Sequence, residues 1–387
     1  MRALFATTAN DGHFGPLLPF ARACAEAGHE VHVAAPASFA AALERAGFAH
    51  EPFGDAPPEL IGPIMGQLPH LPFGEADRIV IREVFARIDA QAGLSGVVAA
   101  IDRWRPHVVV RESAELASLA AAEAAGIPHA HVAIGMHEIV RNFASAIDEP
   151  LLELDRLADL PAGTCSSAQA AEQVLSTVPA SLDGAVGEAL SGVLRFRDEA
   201  SPTGEGPLPT DWGDPELPLL YVTFGSVTGS LPPFAGLYRE ALDALADLDV
   251  RVLMTVGRRV DIAGLGALPT NACVLPWWPQ ADVLAHAAAM LGHGGFGTTM
   301  GALAAGVPQV VMPIFTSDQL SNAQHVAAVG AGLAVPLGPG SVAVAADDVR
   351  RLLADPSYAA GARAVAAEIA DLPPASDAVA VLERLVG

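Results

Sequence analysis

Short uninterrupted apolar runs alternate along the chain with longer stretches in which apolar residues recur at helical spacing. RALFAT (2–7) is the first run, and its lack of polar alternation suits a strand buried on both faces of a parallel sheet. The polar turn ANDGHFG follows, and PLLPFARACAEAG then predicts a helix closed by Gly28. HEVHVAA predicts a second strand and SFAAALERAG a second helix, with Ser38 as its N-cap. PHVVVRE and IPHAHVAI repeat the strand pattern on either side of the helix AELASLAAAEAAG. Segments 51–96 and 137–163, Pro-rich or mixed, read as substrate-facing loops and helices more than core.

At residue 200 the pattern breaks. ASPTGEGPLPTDWGDPELP (200–218) is rich in Pro and Gly, acidic and aperiodic, and reads as an interdomain linker. Alternation then resumes: LLYVTFGS, VRVLMTVG, NACVLPWW, AMLGHGG and VPQVVMPI predict strands. Helices are predicted at 233–246 and over PQADVLAHA, GTTMGALAAG, DQLSNAQHVAAVG and VAADDVRRLLAD. Alternation on this scale predicts an α/β protein of two doubly wound, Rossmann-like domains, 1–199 and 219–370, facing across a cleft.

Composition narrows the function. The 387 residues suffice for two cores, and 44 acidic against 21 basic residues give a formal net charge of −23. Such a field repels nucleic acid and anionic membranes, so neither is expected as a partner. Every basic residue is arginine; without lysine, a Walker phosphate loop, Schiff-base chemistry and pyridoxal catalysis are excluded. Cys24, Cys165 and Cys273 are widely spaced and lack CxxC or metal spacing, which fits a reducing cytoplasm. The N-terminal apolar run breaks at Asn10-Asp11, too soon for a signal peptide.

No charged residue lies between Asp282 and Asp318, yet His286, His293, several glycines, Pro308 and Pro313 cut that stretch too short for a membrane span. Instead, HGGFGTT (293–299) opens a helix whose N–H groups bind an anion without a cationic side chain. Its glycines let the backbone approach closely, and His293 and Thr298 add side-chain donors. TFGS, ending at Ser226, offers a second nest of N–H groups at another strand end.

Residues 277–323, WWPQADVLAHAAAMLGHGGFGTTMGALAAGVPQVVMPIFTSDQLSNA, resemble the donor-binding signature of inverting GT-B nucleotide-sugar glycosyltransferases, a family that includes bacterial antibiotic-tailoring enzymes. The elements W-x-P-Q, H-x-G-x-x-[ST], G-V-P and D-Q with a following Asn stand in that order. An N-terminal GHFGP and a C-terminal LPPASDAVAVLERL extend the resemblance over nearly the whole chain. It implies an acceptor-binding N-terminal domain and a donor-binding C-terminal one, with a C-terminal helix (371–387) returning to the former. Trp277 then stacks on the base, Trp278 packs, and Pro279 and Gln280 place groups at the base edge. His293, Gly295, Gly297 and Thr298 clamp the diphosphate. Asp318 and Gln319 bond sugar hydroxyls, with Asn322 a further candidate.

One departure bears on the donor. Uridine-diphosphate enzymes of the family often carry a glutamate three residues after the Ser/Thr to hold both ribose hydroxyls; here Gly301 stands there. A 2′-deoxyribose would leave that carboxylate half unpaired, so Gly301 favours a dTDP-sugar, with a UDP-sugar as the alternative. His13 follows the first strand, where open sheets bind ligands, and matches the family's base. A largely neutral imidazole there can take a proton from a hydroxyl. Its matching acidic partner is Glu112, with Glu115 as the fallback. No metal or cofactor is implied, because helix N–H groups and an imidazole receive the leaving diphosphate. ELIGPIMGQLPHLPFG suits a hydrophobic aglycone, and a homodimer is left open. Rival readings are a sugar-nucleotide 2-epimerase, a non-catalytic helper of another glycosyltransferase, and a nicotinamide dehydrogenase, for which GxGxxG is missing after the first strand.

Overall fold

The computed structural model describes every residue except 69–70, 190, 200–206, 226–227, 231–233, 235, 337 and 339. The chain forms two compact units: Met1–Val178 with Leu190–Glu199 and Leu372–Gly387, and Pro179–Ala189 with Ala200–Asp371.

The first unit is built on a seven-stranded parallel sheet, β1 Arg2–Ala6, β2 Glu30–Pro36, β3 Ala49–Phe53, β4 Val108–Glu112, β5 His129–Val132, β6 Gln173–Ser176 and β7 Leu194–Arg195, in the order 3-2-1-4-5-6-7. Alternate residues feed opposite faces. Phe5, Val33 and Val110 join one apolar layer, and Leu4, Ala34 and Val109 the other. That is why these strands read as continuous apolar runs. The C-terminal helix Ala378–Val386 buries Val379 and Leu382 in the first layer, as expected for 371–387.

One expectation fails in this unit. Segment 51–96, expected as substrate-facing loops and helices more than core, contributes to the core, because Gly74–Trp104 is a single helical run that buries Ile81, Val84, Leu94, Val97 and Ile101. By length and composition it could cross a membrane; here those side chains sit in the unit's core, with Arg82, Glu83 and Arg87 ion-paired on its outer side. Its middle, Val80–Asp89, is π-helical.

The second unit repeats the plan with six parallel strands, β8 Leu219–Thr223, β9 Arg251–Thr255, β10 Ala272–Leu275, β11 Ala289–Gly292, β12 Gln309–Val311 and β13 Gly332–Ala334, in the order 10-9-8-11-12-13. Leu220, Val222 and Met254 line one face, and Tyr221, Leu253 and Met290 the other. Of the predicted linker, 200–206 lies outside the described residues. Leu208 and Trp212 pack on this unit, and the Arg251 guanidinium lies 4.5 Å from the Trp212 ring centroid. Pro179–Ala189, expected within the first domain, belongs here, where the amide of Ser181 donates to Glu368 Oε1 at 3.1 Å.

Close backbone packing fixes the helix Pro356–Asp371. A Cβ on Gly361 would stand 2.3 Å from the carbonyl oxygen of Gly330. Gly361→Ala is therefore expected to cost about 1–3 kcal/mol in urea denaturation. Gly236→Ala, where a Cβ meets nothing within 4 Å, should move the midpoint far less.

Candidate active site

In a doubly wound sheet the strand order reverses at one point, and the loops leaving the two flanking strands diverge there. In the first unit that point lies between β1 and β4, where Ala6 pairs with Arg111. The loop after β1 carries Thr8, Asn10 and His13. Asn10 caps the short turn Asp11–Phe14, its Oδ1 accepting from the Gly12 amide at 2.8 Å, and this holds His13 in place. β4 ends at Glu112, which is fully buried.

These loops bring His13 and Glu112 together. Nδ1 of His13 lies 3.2 Å from Glu112 Oε1 and 3.0 Å from the Thr8 hydroxyl. A carboxylate only accepts, so Nδ1 carries the proton and Nε2 keeps the basic lone pair. Glu112 also accepts from the Thr8 amide at 3.2 Å and the Ala114 amide at 2.6 Å. Burial opposes its ionisation, but the His13 imidazole and these amides prevail and hold its carboxyl below the usual range.

Glu115, the fallback partner, serves another purpose. It accepts from the Ser118 amide at 3.1 Å at the start of the helix Ala117–Ala125, and burial pushes it up to about 7. Beneath both carboxyls lies Arg111, wholly buried, which the sequence reading missed. Its guanidinium donates to the carbonyls of Glu112 (3.2 Å) and Glu115 (3.4 Å) and pairs with Glu172, fixing the turn that carries Glu112. A lone arginine inside the apolar run VVVRE was the available signal.

A cavity of about 260 Å³ opens beside the dyad, lined by Thr8, Asn10, Phe53, Ile61, Phe85 and Leu116 together with Asp55, Asp89 and Glu115. The π-helical segment delivers Phe85, whose ring centroid is 5.2 Å from that of His13. Burial, with Glu112 and Asp55 nearby, pushes Asp89 up to about 6 against the pull of His13.

In the second unit the order reverses between β8 and β11, where Thr223 pairs with Gly292. His293 follows β11 and is buried over the backbone: its Nε2 stands 2.7 Å from where a Cβ on Gly225 would be, and 2.5 Å from one on Gly295. Gly225, at φ +79°, therefore requires glycine, and a side chain at Gly295 would displace the imidazole. Gly294 has φ +86°, and a Cβ there would meet the Gln319 carbonyl oxygen at 2.7 Å. The helix Phe296–Ala304 starts at this turn, so the amides of Phe296, Gly297 and Thr298 precede its first internal bond, Thr299 to Gly295. Nδ1 of His293 is buried. Ser226 lies outside the described residues.

Trp277 is 44% exposed beyond β10, whereas Trp278, partly buried, packs against the core, as expected. Pro279 starts the helix Gln280–Leu284. Gln280 Nε2 donates to the Thr298 carbonyl at 3.3 Å and sits 2.1 Å from where a Cβ on Gly301 would be. Asp318 and Gln319 stand in the first turn of Ser317–Ala328. Gln319 Oε1 accepts from the Ile314 (2.8 Å) and Phe315 (3.1 Å) amides. Asn322 is fully buried, and its side-chain amide donates to the Gly294 carbonyl at 2.7 Å, bracing the glycine turn. The triplet Asp247-Leu248-Asp249 precedes β9, at the edge of the sheet opposite these residues.

Two parallel α/β units, one with a His–Glu pair and one with a glycine-lined helix start at its switch point, define a fold of the GT-B type. Residues 239–385 match the family described as erythromycin biosynthesis protein CIII-like, C-terminal domain. The L-demethylnoviosyl transferase of Streptomyces niveus is 32% identical over 353 residues, covering 87% of this chain and 85% of that protein. Glycosyltransferase VinC, solved in complex with dTDP, matches at TM-score 0.77 and 25% identity over 100% of this chain and 99% of its own. SnogD from Streptomyces nogalater matches at TM-score 0.77 and 26% identity, with the same coverage. The chain belongs to the glycosyltransferases that tailor natural products such as antibiotics, and it is an enzyme of sugar transfer.

Burial pushes His293 down to about 4, with a Thr223 backbone hydrogen bond pulling the other way. The native unit thus keeps this imidazole neutral, while the unfolded chain takes up a proton below about pH 6.5. The second unit should lose about 2 kcal/mol from this residue between pH 7 and 5, and His293→Asn should flatten that loss. Urea denaturation read by tryptophan fluorescence in a Trp104→Phe background, which keeps Trp212, Trp277 and Trp278, makes the check. An equal loss in both proteins contradicts the assignment.

Proposed function

We propose that this enzyme moves a sugar, with inversion, from a dTDP-sugar to a hydroxyl of a hydrophobic natural-product aglycone, with His13 as general base. The observation that carries the reading is the 3.2 Å contact between His13 Nδ1 and the ionised, fully buried Glu112. Nε2 takes the proton of the acceptor hydroxyl as its oxygen attacks the anomeric carbon and the bond to the diphosphate breaks. Glu112 orients the ring and stabilises the imidazolium that forms, as the acidic member of a serine-hydrolase triad does.

Negative charge gathers on the leaving diphosphate, where the N–H groups of Gly295, Gly297 and Thr298 and the buried imidazole of His293 receive it. On this reading no divalent metal is required. Trp277 stacks on the base, Pro279 and Gln280 flank it, and Asp318 with Gln319 Nε2 meets the sugar.

Two observations favour dTDP over UDP. VinC was solved with dTDP. The Gln280 side chain also occupies the space that a glutamate at Gly301 would need. The cavity beside His13, with Phe53, Ile61, Phe85 and Leu116 in its wall, supports an apolar aglycone.

Calorimetric titration should show thymidine diphosphate binding more tightly than uridine diphosphate. His13→Ala should lose about 10²–10⁴-fold in transfer rate, while its affinity for thymidine diphosphate stays at the wild-type value. Glu112→Gln should fall between the two. Transfer that survives His13→Ala would refute the base assignment.

A further inference from the structure

The loop after β9 contributes a residue that the donor signature does not contain. Its amide at Val256 donates to the Leu275 carbonyl at 3.1 Å, tying it to the strand that leads to Trp277. Two residues on, the Arg258 guanidinium carbon lies 4.6 Å from the centroid of the Trp277 ring. Both side chains are exposed. Among the described residues no carboxylate pairs with Arg258, although the chain holds 44 acidic residues against 21 arginines. An exposed arginine in so acidic a chain has settled on an indole face. In the sheet, β9 lies between β10 and β8, so Arg258 leaves the sheet between the Trp277 loop and the Gly225 turn under His293.

We propose that Arg258 is a donor-binding residue and that its guanidinium and the Trp277 indole form the two walls of a slot for the nucleobase. The inference rests on the reading above that Trp277 meets the base. A guanidinium is planar and weakly hydrated, and it stacks on aromatic faces as an ammonium does not. In the unliganded protein the two walls touch. When the base enters, Arg258 swings out on its flexible stem by about one stacking distance, roughly 3.5–4 Å, and closes on the second face of the ring. The base is then stacked on both sides, and the guanidinium remains on the side of β9 that leads to the diphosphate.

Titration calorimetry with thymidine and with thymidine diphosphate tests the slot, because thymidine carries no phosphate. Arg258→Ala should weaken both ligands alike, by about three- to tenfold. Arg258→Lys should behave as Arg258→Ala, since the charge is kept and the plane is lost. Weakening of thymidine diphosphate alone would make Arg258 a phosphate ligand and overturn the slot, as would unchanged or tighter binding of both. Trp277→Ala separates the two readings. If it leaves thymidine binding unchanged, the base site itself is wrong; if it weakens binding while Arg258→Ala does not, only the present inference fails.

Discussion

An all-parallel sheet covered on both faces offers ligands only its edge, at the carboxyl ends of the strands, and most openly where the strand order reverses. Both units of this enzyme obey that constraint. In the first, the reversal between β1 and β4 joins His13 to Glu112 although 99 residues separate them. In the second, the reversal between β8 and β11 sets His293 over Gly225 and at the mouth of a helix. The chemistry is therefore a consequence of the crossover order, and the loops only refine it.

Charge is managed with few cations. A chain of net charge −23 without lysine has few cations to offer an anion, and the HGGFGTT turn presents helix N–H groups and an imidazole instead. The acidic side of the bargain is settled in the first unit. Glu112 and Glu115 lie one turn apart, yet amides and the His13 imidazole keep the former ionised while burial pushes the latter up to about 7. Arg111, which bonds the carbonyls of both, ties the two carboxyl-bearing residues into one turn. A dyad and a capping carboxyl result from the same short segment.

Much of this was legible in the sequence. Continuous apolar runs marked most of the strands because each is buried on both faces, and the His-Gly-Gly-Phe-Gly turn marked the helix start because glycine is required there. The short strands β3, β6, β7 and β13 were not visible: each is two to five residues long and takes its identity from its neighbours in the sheet. The helix ending at Trp104 was obscured by the Pro-rich segment before it. Contacts across sequence were hidden for a different reason. Nothing in the local pattern says that Asn322 braces Gly294, that Arg111 reaches Glu172, or that Arg258 lies on Trp277. Those depend on which strands the sheet sets side by side.

The central claim is that a hydroxyl activated at His13 displaces the diphosphate directly. The anomeric configuration of the product tests it most plainly. With a thymidine-diphosphate sugar of α configuration and an aglycone the enzyme accepts, proton NMR of the glycoside made by the wild-type protein should show the β anomer alone. An α product would mean a retained configuration, and the direct displacement would have to be abandoned.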